Sequence, residues 1–336
     1  MTQKTIFQVN QLIKSFEGRL ILDKVSLTIK QGQIIAFTGK SGVGKSTLLQ
    51  LIAGLEQVDS GEIRFYDKSL NDNAVQLIPG HEEIRYMAQD FQLLHRRTVE
   101  ENLKEALLAF NDAFTTEKIT QLTSIFKLTE ILPQYVEKLS GGEKQRLAMA
   151  RAMASEPEAL LLDEPFTQLD QVNKAILYEA LKAINKELGT TIIFITHQAE
   201  EIFQLADKVG VLSEQKLVQF DTPKKLYKAP LNIEVANVFG AINLLNKSAL
   251  EQLQLNNNTK NTTYGVRPES FKIKDKNDKN VLQVKIDEII FAGAHYDLHC
   301  KTADGLKLKV HANKSYKKGR QLGLKLKKSD LVEIRN

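Results

Sequence analysis

The amino-acid sequence predicts an α/β protein with a mixed, largely parallel sheet, followed by a small all-β domain. Strand-like and helix-like segments alternate over residues 4–238, and the strand-like segments 159–162 and 191–195 are continuously apolar. Continuous apolar runs are typical of strands that helices cover on both faces. After about residue 240, short strand-like segments separated by Gly, Asp and Asn replace this alternation, which indicates an antiparallel barrel or sandwich.

Length and charge place the domain border. A chain of 336 residues favours two domains. Residues 240–336 contain 19 Lys and Arg against 10 Asp and Glu, a net charge of +9, whereas residues 1–239 contain 27 against 31, a net charge of −4. Such a shift is typical of a domain border. We therefore predict domains at 1–239 and 240–336, with a helical subdomain at about 90–155.

Composition and cysteine usage indicate the compartment. The chain is 42% hydrophobic and 26% charged, which excludes a disordered chain, a collagen and a disulfide scaffold. Its single cysteine, Cys300, cannot form an internal disulfide and suits a reducing compartment. The N-terminus has no signal-peptide pattern, and no apolar run approaches the roughly 18 residues of a membrane span. We expect a soluble, cytoplasmic protein that can still dock on a membrane protein.

The elements are predicted in a regular order. Strands at 4–38 precede a glycine-rich loop and a helix, and a strand follows at 62–66. A helical pattern extends from about 98 to 127, and another helix starts after Gly141-Gly142 and runs to Ala154. The later elements are a strand at 159–162, a helix at 172–187, a strand at 191–195, and short β segments at 281–290, 294–300, 305–311 and 331–335.

A phosphate-binding loop follows the strand that ends near residue 38. Its pattern of glycines followed by Lys45 and Ser46 allows backbone N–H groups to surround phosphate oxygens at the start of a helix. We expect Lys45 to reach the β- and γ-phosphates, Ser46 to bind Mg²⁺, and Thr47 to contact the α-phosphate. The predicted nucleotide-binding residues of the loop are Gly39, Lys40, Ser41, Gly42, Val43, Gly44, Lys45, Ser46 and Thr47.

Two adjacent carboxylates end a buried strand further along the chain. The run Leu160-Leu161-Leu162 leads directly into Asp163 and Glu164. Side chains alternate along a strand, so the two carboxylates point in different directions. We expect Asp163 to hold Mg²⁺ through its water shell, and Glu164 to act as the general base for the attacking water.

The segment Leu139-Ser140-Gly141-Gly142-Glu143-Lys144-Gln145-Arg146 resembles the signature sequence of the ATP-binding cassette ATPases. Ser140 and the two glycines open a helix N-terminus, which is a site for anions. The resemblance covers residues 4–238 and implies a P-loop ATPase cassette fold with an antiparallel β subdomain. It also implies that Ser140, Gly141 and Gly142 grip the ATP of a partner subunit, so that a homodimer encloses two nucleotides.

Other positions match the family one at a time. Phe16 resembles the aromatic residue that stacks on adenine, and Gln89 resembles the glutamine that touches Mg²⁺ and the attacking water. His197 resembles the switch histidine that contacts the γ-phosphate, and Asp170 resembles the aspartate of the D-loop. The residues Thr167, Gln168 and Gln198 depart from the usual family sequence, without removing a group that hydrolysis needs.

The C-terminal part carries a second, looser resemblance. Residues 235–240, Asn243 and 264–269 are similar to cassette proteins with a TOBE-type, OB-like barrel, which power importers for ferric iron, sulfate, molybdate, polyamines or sugars. The resemblance implies an importer ATPase at the cytoplasmic face of the inner membrane. Its implied partners are two integral-membrane permease subunits and an extracytoplasmic solute-binding protein, with no nucleic acid. The segment 90–95 is expected to help form the groove for a permease helix.

The basic C-terminal domain leaves two alternatives open. One is a soluble cassette ATPase that acts on nucleic acid or the ribosome, although such proteins usually carry two cassettes or a long coiled coil. The other makes the C-terminal domain an oxyanion-sensing module, rather than one that only supports dimerisation.

Overall fold

The computed structural model describes residues 4–70, 81–88, 93–255 and 263–334. The chain divides into two compact units, Met1–Pro223 and Lys224–Asn336. The second unit therefore begins at Lys224, before the domain border that the charge distribution predicts between residues 239 and 240. That predicted border stays a prediction. Within the described ranges, no helix combines the length and the apolar character that crossing a bilayer requires.

The first unit alternates strands and helices, as the sequence predicts. Its elements are β1 (Thr5–Phe16), β2 (Arg19–Lys30), β3 (Ile34–Gly39), α1 (Lys45–Ile52), β4 (Ser60–Phe65), β5 (Lys68–Ser69), β6 (Ile84–Met87), α2 (Val99–Ala106), α3 (Asp112–Ile125), α4 (Gly141–Met153), β7 (Ala159–Leu162), α5 (Gln171–Leu188), β8 (Thr191–Ile195), α6 (Ala199–Leu205), β9 (Lys208–Ser213) and β10 (Lys216–Asp221). The apolar strands β7 and β8 are buried at every residue.

A six-stranded sheet forms the centre of this unit. Its strand order is β10-β9-β3-β8-β7-β6, with the five strands from β9 to β6 parallel and β10 antiparallel at the edge. The predicted mixed, largely parallel sheet is thus confirmed. Since the strands from β9 to β6 point the same way, the loops after β3, β8 and β7 lie at one edge of the sheet.

A four-stranded antiparallel sheet, in the order β2-β1-β4-β5, packs with α1 into the same core. Phe7 and Phe65 are fully buried in this core, with ring centroids 5.3 Å apart. Leu48 and Leu49 of α1 and Leu161 of β7 belong to the same buried cluster. The helix that follows the glycine-rich loop is therefore anchored by both sheets.

The helical pattern predicted over about 98–127 is divided into two helices. Thr98 begins α2 with a capping box, in which its side chain accepts from the backbone N–H of Glu101 while the Glu101 carboxylate accepts from the backbone N–H of Thr98. Asn111 begins α3, where its side chain accepts from the backbone N–H of Phe114. A side-chain cap inside an apparently continuous pattern starts a new helix, because it satisfies orphan N–H groups at that point.

The second unit is mainly antiparallel β structure. Its elements after the border helix α7 (Pro223–Lys228) are α8 (Ile233–Val238), β11 (Asn243–Leu245), α9 (Lys247–Gln252), β12 (Thr263–Val266), β13 (Lys272–Lys274), β14 (Leu282–Phe291), β15 (Tyr296–Lys301), β16 (Lys307–Ala312), β17 (Gln321–Lys325) and β18 (Val332–Ile334). These strands form a three-stranded sheet, β11-β12-β18, and a five-stranded sheet, β13-β17-β14-β15-β16. A closed OB-like barrel stays a prediction.

Truncating a core residue of β7 tests the packing that holds the central sheet. Leu161 is fully buried, so Leu161→Ala should lower the free energy of unfolding by about 2–5 kcal/mol through lost apolar contact and a residual cavity. Leu108 is 79% exposed, and Leu108→Ala should change the free energy of unfolding by less than about 0.5 kcal/mol. Urea denaturation of both variants measures the difference; equal effects would contradict this account of the core.

Candidate nucleotide-binding site

The carboxyl ends of parallel strands bring the predicted site residues to one edge of the central sheet. The glycine-rich loop follows β3, Asp163 and Glu164 follow β7, and Thr196 and His197 follow β8. In open α/β sheets, ligands bind in the crevice outside these strand ends. Strand order therefore explains how residues more than a hundred positions apart reach one site.

Glycine at position 44 is required by the geometry of the loop. Gly44 caps the N-terminus of α1 with a backbone φ of 101°, in the left-handed region. A Cβ atom at this position would lie 2.9 Å from the carbonyl oxygen of Ile21. The loop can therefore turn into the helix, and expose the first N–H groups of α1, only with glycine here.

Lys45 is a buried cation at the start of α1. Its side chain donates hydrogen bonds to the carbonyl oxygens of Gly39, at 3.0 Å, and of Lys40, at 2.9 Å. Burial lowers the pKa of Lys45, while the nearby carboxylates of Glu164 and Asp163 act in the opposite direction. A desolvated ammonium gains strongly from an anionic partner, so Lys45 is suited to bind phosphate oxygens.

Asp163 is oriented by a tyrosine that the sequence analysis missed. The Tyr86 hydroxyl, on β6, donates to Asp163 Oδ2 at 3.3 Å. Burial, followed by the charge of Asp163, raises the pKa of Tyr86 to about 12, so its hydroxyl remains a donor at neutral pH. No local sequence signal links Tyr86 to Asp163, because the two residues are 77 positions apart in the chain.

Glu164 and His197 are in direct contact. Glu164 Oε1 lies 2.9 Å from His197 Nε2, although the two residues follow different strands. Glu164 has a φ of 50°, in the left-handed region that residues other than glycine rarely adopt. The Thr167 hydroxyl donates weakly to Glu164 Oε2 at 3.5 Å. The carboxylate is thus held by groups on two loops, at the exposed edge of the sheet.

A small cleft opens beside these carboxylates. Its volume is about 90 Å³, and its lining includes Asp163, Glu164, Thr167 and Gln145. Gln145 is a buried residue of α4, and its side-chain amide donates to the carbonyl oxygen of Pro165. A cleft of this size has room for water beside Glu164.

A buried network supports the loop that carries His197. Lys174 Nζ, on α5, donates to Glu201 Oε1 at 2.7 Å and to Gln198 Oε1 at 2.9 Å, and both charged residues are buried. Glu201 also accepts from the Thr196 hydroxyl. Gln198, which departs from the usual family sequence, is therefore a partner of Lys174. The sequence analysis missed Lys174 and Glu201, because nothing local connects α5 to α6.

The signature residues form a helix cap. Ser140 caps α4 in a capping box with Glu143: the Ser140 N–H and hydroxyl both donate to Glu143 Oε2 at 2.8 Å, and its Oγ accepts from the Glu143 N–H at 3.3 Å. Ser140 and Gly141 are exposed. The predicted helix N-terminus is thus present and open to solvent.

The side chain of Asn173 links Asp170 to the N-terminus of α4. It caps α5 by accepting from the Asn173 backbone N–H at 2.8 Å, and the Asn173 side-chain amide donates to both carboxylate oxygens, at 3.1 and 3.2 Å. A Cβ atom on Gly142 would lie 2.5 Å from Asn173 Cγ, so glycine allows this approach. The signature helix and the D-loop are therefore packed together.

Comparison with known proteins decides the family. The chain is 31% identical over 340 aligned residues to the protein named Fe(3+) ions import ATP-binding protein FbpC from Fusobacterium nucleatum, covering 95% of this chain and 90% of the relative. Residues 22–167 match the ABC transporter family, and residues 264–332 match the TOBE domain. The chain belongs to the ABC transporter ATP-binding proteins. It is an importer ATPase that binds ATP and couples its hydrolysis to transport, as predicted.

Solved cassette structures support the fold of this ABC protein. The structure of cbiO1 from Clostridium perfringens, part of the ABC transporter complex cbiONQ, is 27% identical with a TM-score of 0.62, covering 67% of this chain and 91% of that chain. The cassette MJ0796, in a dimeric post-hydrolysis state bound to ADP and Pi, is 25% identical with a TM-score of 0.56, covering 65% of this chain and 99% of that chain. The predicted cassette fold is thus confirmed.

Of the remaining predicted residues, Phe16 is among the described residues and Gln89 is not. Phe16 is 42% exposed at the end of β1, where Lys14 Nζ lies 4.7 Å from its ring centroid, so Phe16 is not a core residue. Gln89 and residues 90–92 of the expected permease groove lie outside the described residues. The structure brings Lys45, Asp163, Glu164 and His197 together. The contacts given above for Phe16, Ser140 and Asp170 are with other residues.

Replacing Glu164 by Gln tests its role as the general base. Glu164→Gln preserves the size of the side chain but removes the negative charge that would orient and deprotonate water. We expect hydrolysis to fall by about 10²–10⁴-fold with ATP affinity preserved. ATP turnover, ATP affinity and melting temperature should be measured together; near-normal turnover in a folded variant would contradict the assignment.

Replacing Lys45 by Ala should act differently, because Lys45 is placed to bind the phosphates themselves. Lys45→Ala removes the buried cation next to Asp163 and Glu164, so ATP affinity should fall together with turnover. Equilibrium binding of a fluorescent ATP analogue provides the measurement. If Lys45→Ala kept the ATP affinity of the wild type, the proposed phosphate contact would be wrong.

The Lys174–Glu201 ion pair is a test of the support behind His197. Glu201→Leu should lower the free energy of unfolding by about 3–5 kcal/mol, because it leaves the buried Lys174 ammonium without its carboxylate. The double variant Lys174→Met/Glu201→Leu should recover most of this loss, since no buried charge remains. Urea denaturation of the single and double variants gives the coupling; additive losses would show that the two residues are independent.

Proposed function

We propose that this importer ATPase works as a homodimer in which each ATP lies between the glycine-rich loop of one subunit and the signature helix of the other. The observation that carries the proposal is the exposed N-terminus of α4, capped by Ser140. Exposed N–H groups at a helix N-terminus attract anions. The partner's γ-phosphate would occupy this end of the helix.

The residues at the loop suit a nucleotide with Mg²⁺. Ser46 is exposed in the first turn of α1, and Asp163 is half-buried and held by Tyr86. Hydroxyl and carboxylate oxygens are the hard ligands that Mg²⁺ prefers. We propose that Ser46 and Asp163 hold the ion, Asp163 through water, with Gln89 as a further ligand. Bound there, Mg²⁺ neutralises charge on the β- and γ-phosphates.

We assign three roles in hydrolysis to this chain's own residues. Glu164 orients the attacking water and accepts its proton, and His197 holds the Glu164 carboxylate and contacts the γ-phosphate. Lys45 binds the β- and γ-phosphate oxygens and stabilises the charge that develops on them. Phe16 stacks on adenine; the residue is exposed, with the Lys14 ammonium over its ring.

The proposed partners are those of a binding-protein-dependent importer. Two integral-membrane permease subunits would dock on the cassette dimer at the cytoplasmic face of the inner membrane, and an extracytoplasmic binding protein would deliver the solute. The similarity to an import subunit over nearly the whole chain, including the TOBE domain, supports this assembly. The segment 90–95 is proposed as part of the permease groove.

Ferric iron is the proposed cargo. The support is the name of the Fusobacterium nucleatum relative, an Fe(3+) import protein. The experiment is ATPase activity of the full transporter, purified with its permease and reconstituted in vesicles, with the solute-binding protein of the same system. We expect stimulation by Fe³⁺-loaded binding protein and none by sulfate, molybdate or polyamines; the reverse pattern would overturn the cargo assignment.

Dimerisation should depend on ATP. The Glu164→Gln variant removes turnover but leaves Lys45 and Ser140 in place, so MgATP should convert a weak dimer into a tight one. Sedimentation velocity with and without MgATP provides the measurement, and Lys45→Ala serves as the control that binds nucleotide poorly. A Glu164→Gln protein that stays monomeric at saturating MgATP would contradict the enclosed-nucleotide dimer.

A further inference from the structure

The C-terminal unit contains a cluster of histidines that the ATPase chemistry does not use. His311 of β16 lies directly opposite Asp297 of β15 in the antiparallel register, and His295 lies in the turn just before β15. Directly opposed residues on one sheet face have neighbouring side chains. Leu298 and Cys300 point to the other face, into the hydrophobic core. The cluster is thus on the sheet face away from that core.

The side chains converge on one oxygen atom. Asp297 Oδ1 lies 3.1 Å from His295 Nε2 and 3.3 Å from His311 Nε2. The two imidazole rings have centroids 4.0 Å apart, and the three potential donor atoms all lie within 4.8 Å of one another. Ligands of a tetrahedral zinc ion, at about 2.1 Å from the metal, are separated by about 3.4 Å. The spacing around Asp297 Oδ1 therefore matches a metal coordination shell.

We propose that His295, Asp297 and His311 form a binding site for one divalent transition-metal ion. Two imidazoles and one carboxylate are a donor set for Zn²⁺ or Fe²⁺, whereas Mg²⁺ and Ca²⁺ favour sites made of oxygen ligands. Three protein ligands leave further coordination positions for water or a small anion. The site is separate from the Mg²⁺ site proposed in the ATPase unit.

Charged side chains outside the proposed ligand set lie next to Asp297 and His311. Lys309 Nζ binds Asp297 Oδ2 at 2.7 Å, which fixes the carboxylate and leaves Oδ1 directed at the histidines. Glu269 Oε2 lies 3.9 Å from His311 Nδ1, so the two ring nitrogens of His311 face different carboxylates. Tyr227 donates to the other Glu269 oxygen. At 3.9 Å the Glu269 carboxylate is beyond hydrogen-bond distance, so it adds negative charge beside His311 without fixing the ring.

The site is accessible enough to load. The side chains of His295 and His311 are 30% and 27% exposed, and that of Asp297 is 13% exposed. An ion can therefore enter from solvent, while Asp297 remains largely shielded from competing water. Lys309 adds a positive charge beside the carboxylate, so binding of a dication is expected to be weaker than at a site with two carboxylate ligands.

The test uses the full-length protein, free of nucleotide and Mg²⁺, and titrates it with Co²⁺ and then Zn²⁺. We expect one Co²⁺ per chain, reported by visible d–d absorption and displaced by Zn²⁺. The double variant His295→Gln/His311→Gln should weaken this binding by at least about tenfold. The matched control is His299→Gln, because His299 is also on β15 and has the same side-chain type but is not a member of the cluster.

Folding of each variant is checked by its melting temperature without metal. Should the double variant fail to fold, X-ray absorption of the wild-type Zn²⁺ complex still shows whether histidines bind the ion, because imidazole ligands give a distinct outer-shell scattering pattern. Failure of the wild type to bind Co²⁺ or Zn²⁺ would overturn the site. So would binding that the double variant keeps, binding that His299→Gln loses equally, or a zinc shell without imidazole.

Discussion

The parallel pairing of β3, β8 and β7 is the constraint on which the ATPase site depends. Each strand ends at the same edge of the sheet, and each is followed directly by a functional segment: the glycine-rich loop, His197, and Asp163 with Glu164. Because β8 lies between β3 and β7, His197 reaches Glu164 from the neighbouring strand end. The apolar strands thus supply positioning as well as core, since their register places each residue of the candidate site.

Electrostatic balance at this edge explains why burial of charge is tolerated. Lys45 is desolvated, which by itself disfavours its charged form, and the carboxylates of Asp163 and Glu164 compensate in part. A nucleotide phosphate would complete the compensation. The Lys174–Glu201 pair behind the loop of His197 follows the same rule, because each buried charge has its partner at hydrogen-bond distance. In both places, nearby carboxylates stabilise a buried ammonium group.

In the C-terminal unit, the alternation of side chains along two paired strands places Asp297 and His311 in the cluster with His295. Strand alternation in β15 and β16 directs Leu298 and Cys300 into the core and leaves Asp297 and His311 on the other face. One antiparallel pair thereby supplies both packing and a set of metal-binding donors. The net charge of +9 over residues 240–336 comes from many lysines, and Lys309 shows that one of them has a specific structural role.

The sequence by itself determined the elements whose chemistry is local. The glycine-rich loop, the strand before Asp163 and the capped helix at Ser140 were predictable, because glycine conformation, apolar runs and caps act over a few residues. Tertiary structure alone decided the contacts of Glu164 with His197, Tyr86 with Asp163, and Lys174 with Glu201. These pairs join distant parts of the chain through strand order and register, which local patterns do not encode. The clustering of His295 with His311 was settled at the same level. The division of the 98–127 pattern by Asn111, in contrast, follows from a local cap that the sequence analysis overlooked.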